Sequence, residues 1–370
     1  MQMDQNRLSL LALHFIPGIG DYLIRQLVSY CGSAEKVFKV PKGKLQKIPG
    51  IGLVTAEAIT QGKPFAAAEK EIRLAEKEKV DLLFFTDAKY PSRLKQVNDA
   101  PTLLYAKGNM DLENPKTVAI VGTRQATAYG KECVENLIRD LSRHEALIVS
   151  GLAYGIDIHA HKMALKNNLS TVGVMGSGMD VIYPSSHREI ALKMMEYGGL
   201  LTEHPFGTQP DAHNFPARNR IVAALSDAVI IVEAAEKGGA LITADIANSY
   251  NKDVFALPGS IRQNRSAGCN NLIKSNRAHL LASVRDLEYI MNWDAGTKPA
   301  RKESHSLDGF DHDEQIIIQT LLGNNKQLMI DELSWKTSLP ISKLASLLLT
   351  LEFKGVLAAF PGKVYKLTKW

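Results

Sequence analysis

Lys116-Thr-Val-Ala-Ile-Val-Gly-Thr-Arg124 is an unbroken apolar run that stops at a glycine, a hydroxyl and a cation. The run does not alternate apolar with polar residues, so it reads as a strand buried on both faces. The same grammar repeats downstream. Residues Ala146 to Ser150 form a second such run closed by Gly151, Thr171 to Met175 a third closed by Gly176-Ser177-Gly178, and Asp227 to Glu233 a fourth. Helical stretches separate them, at Tyr129 to His144, near Asp157 to Lys166, and from Gly238-Gly239 to Tyr250. Val254 to Leu257, ended by Pro258-Gly259, is one more strand, and Leu200 to Thr202 is short and extended. Apolar strands alternating with helices imply parallel βαβ units, and hence an α/β fold with a doubly wound, mostly parallel, Rossmann-like sheet over residues 81–291.

Outward from this centre the chain changes character. Residues 1–80 read as all-helical and contain an internal repeat: Ile16-Pro-Gly-Ile-Gly20 recurs as Ile48-Pro-Gly-Ile-Gly52, an offset of 32 residues. Each copy closes one helix and opens another, which resembles a helix-hairpin-helix or SAM-like unit. Such a hairpin holds a DNA phosphate on free N–H groups, or serves simply to pack against its neighbour. A linker rich in Lys, Gly, Pro and Ser occupies 292–306. Residues 307–370 give three helices, His312 to Leu322, Met329 to Trp335 and Ile341 to Phe353, then strand-like halves around Phe360-Pro361-Gly362. That pattern is a winged helix. Its third helix carries only Lys343 and Lys354, which favours a protein contact over DNA reading.

Composition narrows the class. With 45% apolar and 22% charged residues the 370-residue chain is of ordinary globular type. No run reaches the roughly 20 apolar residues of a membrane span, and Leu8 to Ile16 reads as a first helix and not a signal peptide. Cys31, Cys133 and Cys269 are scattered, odd in number and not at zinc spacing, which points to a reducing cytoplasm without disulfides or metal. The net charge of +5 divides into +3 for residues 1–90, +2 for 91–304 and zero for 305–370, so a nucleic acid would be met by a local patch.

The place for that patch is the carboxyl ends of the parallel strands. Four turns there carry glycines: Gly122-Thr123-Arg124, Ser150-Gly151, Gly176-Ser177-Gly178 and Lys237-Gly238-Gly239. Close backbone N–H groups and helix N-termini make an anion surface, to which Arg124 and Lys237 add cations. Arg218-Asn219-Arg220, read as lying just before a helix, adds two more. A phosphate-binding loop of the ATPase type is missing, and the turn after the first strand is not Gly-x-Gly-x-x-Gly, so neither a nucleoside triphosphate nor a dinucleotide cofactor is expected. His159 and His161 stand two apart and point to different helix faces, so they are read as structural. Asp157 reads as a helix-start residue. No acid and base pair is assignable.

Five segments together carry a family resemblance. Val118 to Arg124, Ile148 to His161, Asn214 to Ile221, Val254 to Gly259 and Ser266-Ala-Gly-Cys-Asn-Asn-Leu-Ile273 resemble the DNA-processing protein A (Smf) family in order and spacing. The resemblance implies a bacterial cytoplasmic protein, not an enzyme, that protects single-stranded DNA during natural transformation. It also implies loading of the RecA recombinase and a homodimer formed through the Rossmann-like domain. Carried over by position, Arg124 and Lys237 are the principal DNA-binding cations, with Gly122, Thr123, Gly239 and Thr243 shaping the pocket. Arg218 and Arg220 are assigned to DNA from charge and location alone, the alternative being internal ion pairs. Many members have Ser-Gly where this chain has Gly238-Gly239. A competing reading is a nucleoside-monophosphate-cleaving enzyme on a related fold. Such enzymes carry Pro-Gly-Gly-x-Gly-Thr and a glutamate where this chain has Lys237-Gly-Gly-Ala-Leu-Ile-Thr-Ala-Asp245, which lacks the middle glycine and the glutamate.

Overall fold

The run that ends at Gly122 lies at the centre of a nine-stranded sheet. The computed structural model describes residues 4–62, 64–293, 307, 309–324 and 326–368. It divides into two compact units, Met1–Ala295 and Gly296–Trp370. Residues 294–306, most of the expected linker, lie outside the described residues.

The first unit opens with six helices, α1 (Gln5–His14), α2 (Asp21–Cys31), α3 (Ala34–Lys39), α4 (Lys42–Leu45), α5 (Leu53–Thr60) and α6 (Phe65–Glu78). The two copies of the pentapeptide repeat are its two equivalent turns, α1 to α2 and α4 to α5. In each the first glycine takes a left-handed conformation, Gly18 at φ +81° and Gly50 at φ +84°. The second glycine, Gly20 or Gly52, is extended and precedes the next helix.

The sheet follows, with β1 (Asp81–Phe84), α7 (Ser92–Lys95), β2 (Leu103–Gly108), β3 (Thr117–Val121), α8 (Ala128–Leu141), β4 (Leu147–Ser150), α9 (Ile156–Lys166) and β5 (Thr171–Val174). After these come α10 (Arg188–Tyr197), β6 (Gly198–Thr202), α11 (Asn214–Leu225), β7 (Ala228–Ile231), α12 (Gly239–Ser249), β8 (Asp253–Ala256), α13 (Ala267–Lys274), β9 (His279–Leu280) and α14 (Val284–Met291). The strand order is β1-β2-β6-β5-β4-β3-β7-β8-β9. From β6 to β9 every pairing is parallel, while β1 and β2 are antiparallel additions at one edge. The chain winds from β3 through β4, β5 and β6, then returns to β7 on the other side of β3. The topological switch point is therefore the crevice between the carboxyl ends of β3 and β7, where an open parallel sheet takes its ligand.

Along β3, Val118 and Ile120 join the core under one face of the sheet while Ala119 and Val121 join the other. This is why the run shows no polar alternation. A third apolar cluster joins Leu10, Leu13, Ile24 and Ile59 of the N-terminal helices to Phe84, Leu103, Tyr105 and Leu200 of the sheet.

One reading is corrected here. Arg218-Asn219-Arg220 does not precede a helix but lies inside α11, which begins at Asn214. The helix includes Pro216 in its first turn. A proline is tolerated in the first helical turn, where its missing N–H has no intrahelical acceptor to serve.

The second unit has α15 (His312–Leu322), β10 (Gln327–Met329), α16 (Ile330–Thr337), α17 (Ile341–Phe353), β11 (Leu357–Phe360) and β12 (Val364–Leu367), with strand order β10-β12-β11. It is a winged helix with its own core of Ile317, Leu333, Leu344 and Leu348. Asp311 and Glu314 close a capping box at the start of α15. The three-residue β10 had not been anticipated, being too short to show a period.

Candidate functional site

The β3–α8 turn is fixed first by a buried carboxylate. Glu233, at the end of β7, accepts from the Thr127 N–H at 2.9 Å and from its hydroxyl at 2.5 Å, and its carbonyl accepts from the Thr123 N–H at 2.8 Å. Thr127 also caps α8, accepting from the Gly130 N–H. The turn is tied from the other side by Gly155, at φ +79°. A Cβ there would lie 2.2 Å from the Thr123 carbonyl oxygen and 2.5 Å from the Arg124 carbonyl carbon. Only glycine allows the β4–α9 turn to press so closely on the turn that carries Arg124.

A cavity of about 660 Å³ opens at the switch point. Gly122, Thr123, Arg124, Gly151, Arg218, Asn219, Lys237, Gly238, Gly239 and Thr243 line it, so ten of the residues singled out from sequence are brought together. Two are not. Ser150 is fully buried and donates its hydroxyl to the Ile120 carbonyl. Arg220 turns away and pairs with Glu203, with Asp21 of α2 at 3.6 Å. The internal ion pair, the alternative weighed for Arg220, describes its place.

The cations differ in kind. Arg218 is 4% exposed and donates to the carbonyl oxygens of Gly151 and Val174. Burial lowers its pKa to about 10, which leaves it charged at neutral pH, and Asp157 supplies the compensating charge. Asp157 is itself buried. Burial pushes its pKa up, while Arg218 and the N–H groups of Ala153, Gly151 and Gly122 pull it down. The glycine turns after β3 and β4 thus direct these amides toward an internal carboxyl group. The Gly176-Ser177-Gly178 turn is likewise occupied, with the Gly178 N–H on the Thr208 carbonyl and the Ser177 hydroxyl on that of Val181. Both findings correct the expectation of four open anion-binding turns.

The open positions are at the start of α12. A Cβ at Gly238 or Gly239 would meet nothing within 4 Å, so the backbone there is accessible, and a serine at 238 has room. Lys237 beside it is exposed. Thr243 and Asn219 both donate to the Gly239 carbonyl, at 3.2 and 3.3 Å, and set the first turn of α12. Across the cavity the Arg124 guanidinium sits over the Phe215 ring at 5.4 Å. Arg124 and Lys237 enter no ion pair among the described residues.

The cavity also holds an aromatic residue that sequence reading missed. Tyr183 is half-exposed and stacks on Phe215 at 5.8 Å and 30°. It lies in the long β5–α10 segment, where no periodicity marks it. Phe206 packs edge-on against Tyr105, beside the core shared with the N-terminal helices. His159 and His161 diverge as expected, one beside Glu135 at 3.2 Å, the other bonded to Thr171 at 2.7 Å. Among the described residues no three side chains gather as a metal site, and no helix is long and apolar enough to cross a membrane.

Comparison with known proteins supplies the lineage. The family model for DNA recombination-mediator protein A matches residues 81–292, and that for the DprA winged helix domain matches 299–363. Protein Smf of Synechocystis sp. is 36% identical over 285 residues, which cover 75% of this chain and 70% of that protein. The crystal structure of DNA processing protein A from Streptococcus pneumoniae superposes with a TM-score of 0.66 at 34% identity, covering 78% of this chain and 98% of that one. A structure describing the single-stranded DNA binding mode of DNA processing protein A from Helicobacter pylori gives 0.53 at 33% identity, covering 58% and 96%.

Proposed function

This chain belongs to the DNA recombination-mediator protein A family, and we propose on that footing that it binds single-stranded DNA in the crevice between β3 and β7. It protects the strand and helps load the RecA recombinase on it during natural transformation, as a cytoplasmic homodimer. The observation that carries the reading is the open N-terminus of α12 flanked by two cations without ion-pair partners, Lys237 and Arg124. Backbone N–H groups at a helix start favour negative charge, and two cations add attraction without reading sequence. The H. pylori relative, at 33% identity, is described as binding single-stranded DNA. The role is binding and not catalysis: the buried carboxylates nearest the crevice, Asp157 and Glu233, are engaged by Arg218, backbone amides and Thr127.

Titrating the protein into fluorescent single-stranded and duplex DNA at several salt concentrations tests this reading. Tighter binding to the single strand is expected, with log affinity falling linearly in log salt. Arg124→Ala and Lys237→Ala are each expected to weaken binding and flatten the slope by about 0.7, the share of one phosphate contact. Variants that bind like the parent would take the strand out of the crevice and make release of ribose 5-phosphate from nucleotides the next assay.

A further inference from the structure

The loop after β8, Gly259-Ser-Ile-Arg-Gln-Asn-Arg-Ser266, lies outside the cavity and has no part in the fold's core apart from Ser266. It is nevertheless held firmly. The Asn270 side chain closes on Gly259, accepting from its N–H at 3.2 Å and donating to its carbonyl at 2.9 Å. Gly259 is pressed on Ser266, whose Oγ would be 2.1 Å from a Cβ there. Two backbone bonds, Gln263 N–H to the Ser260 carbonyl and Ser266 N–H to that of Gln263, fold the tip. The loop is also tied sideways to the β3–α8 region. The Tyr129 hydroxyl donates to the Pro258 carbonyl at 2.6 Å, and the Arg265 guanidinium donates to Gln125 Oε1 at 2.7 Å, one residue from Arg124.

What this braced loop displays is an apolar side chain and two cations. Ile261 is 93% exposed, and Arg262 is exposed beside it. Neither Arg262 nor Arg265 forms an ion pair among the described residues. A β-branched residue held in water contributes nothing to packing, and a rigid scaffold presenting such a tip is how loops carry contacts to ligands. The location fits the same ligand. β8 neighbours β7, β7 neighbours β3, and all three run parallel. Strands lie about 4.8 Å apart, so the cations following β3, β7 and β8 stand along one edge of the sheet.

We propose, resting on the single-strand reading above, that the Gly259–Ser266 loop is a second contact subsite for the same strand. Arg262 and Arg265 hold phosphates beyond those at Arg124 and Lys237, and Ile261 packs on the face of an unpaired base between them. Arg265 keeps one donor on Gln125, which fixes the spacing between the two subsites, and turns its remaining donors outward. Any base offers an apolar face, so the subsite adds length to the footprint and no sequence preference.

The test uses the full chain and two oligothymidylates, one shorter and one longer than the roughly 4–16 nucleotides that single-strand-binding folds cover. Arg262→Ala, Arg262→Glu and the double substitution Arg262→Ala with Arg265→Ala are compared with Arg124→Ala. On the long strand the double substitution is expected to flatten the salt slope by about 1.4, two contacts at about 0.7 each, and Arg262→Glu to weaken binding more than Arg262→Ala. On the short strand all three loop variants are expected to bind like the parent, while Arg124→Ala weakens both. Ile261→Ser is expected to weaken long-strand binding with the slope unchanged. Among the described residues the Arg262 side chain has no hydrogen-bond or ion-pair partner, so its single substitutions read the subsite without disturbing the loop. A slope that drops for Arg124→Ala but stays at the parent value for the loop variants overturns the second subsite alone. Slopes unchanged in every variant overturn the crevice reading as well.

Discussion

Asp157 places a negative charge inside a crevice otherwise suited to receive one. Its carboxyl group is held by the amides of Gly122, Gly151 and Ala153 and faces Arg218, so it ties the β3–α8 turn to the β4–α9 turn. The charge that a ligand meets is therefore that of Arg124, Lys237 and the start of α12. Replacing Asp157 with Asn leaves the Arg218 guanidinium buried without its counterion. A buried charge without compensation is costly, and a lower urea midpoint for the first unit is expected. An unchanged midpoint would show that the carbonyls of Gly151 and Val174 suffice for Arg218. In the sequence, Arg124 and Lys237 were legible because a cation beside a glycine turn is a local pattern. The burial of Arg218 was not, since its cage comes from Gly151 and Val174, 67 and 44 residues away.

Glycines of positive φ differ in what surrounds them, and Gly155 also has ψ −121°. Gly18 and Gly155 share nearly the same left-handed φ, +81° and +79°. A Cβ at Gly18 would meet nothing within 4 Å, whereas at Gly155 it would strike the backbone of Thr123 and Arg124. Gly18→Ala is expected to cost only the left-handed penalty of about 1–2 kcal/mol. Gly155→Ala is expected to cost more and to displace the Arg124 turn. Thermal unfolding of both variants, set beside their DNA affinities, checks this: affinity falls for Gly155→Ala alone. Equal effects would mean that the two turns yield alike. The pentapeptide repeat told the hairpins from sequence because both copies need the same left-handed glycine. Helix α11 shows the opposite case. Its consecutive residues Arg218, Asn219 and Arg220 point to the cavity floor, the α12 turn and the N-terminal helices. A helical period shows that neighbours diverge but not what each one reaches.

At the scale of the first unit, a buried carboxylate joins the N-terminal helices to the sheet. Glu203 pairs with Arg220, which also faces Asp21 at the start of α2. Burial outweighs the Arg220 charge, and Asp21 adds to it, so the Glu203 pKa rises from 4.5 to about 7. The unfolded chain then releases this proton near pH 4.5 while the folded chain keeps it to about 7. Stability from this group is full below 4.5 and is lost as pH rises to 7, by about 3 kcal/mol at about 1.4 kcal/mol per unit. Glu203→Gln does not titrate, so the stability of the parent relative to this variant is expected to fall between pH 4.5 and 7. Denaturation of both proteins at each pH checks it, and a constant difference would refute the raised pKa. None of this linkage was legible from sequence, because Asp21 is far from Glu203 and Arg220 in the chain, and those two lie 17 residues apart on different elements. The sequence-level change of character near residue 80 marked where helices give way to strands. The core passes straight through it, with Leu10, Leu13 and Ile24 packed among Phe84, Leu103 and Tyr105. Residue 81, where the matched family domain begins, is thus not a border of cohesion. A chain released from its first 80 residues would present those sheet residues to water as one sticky surface, and its copies would seek in each other the partner they had lost.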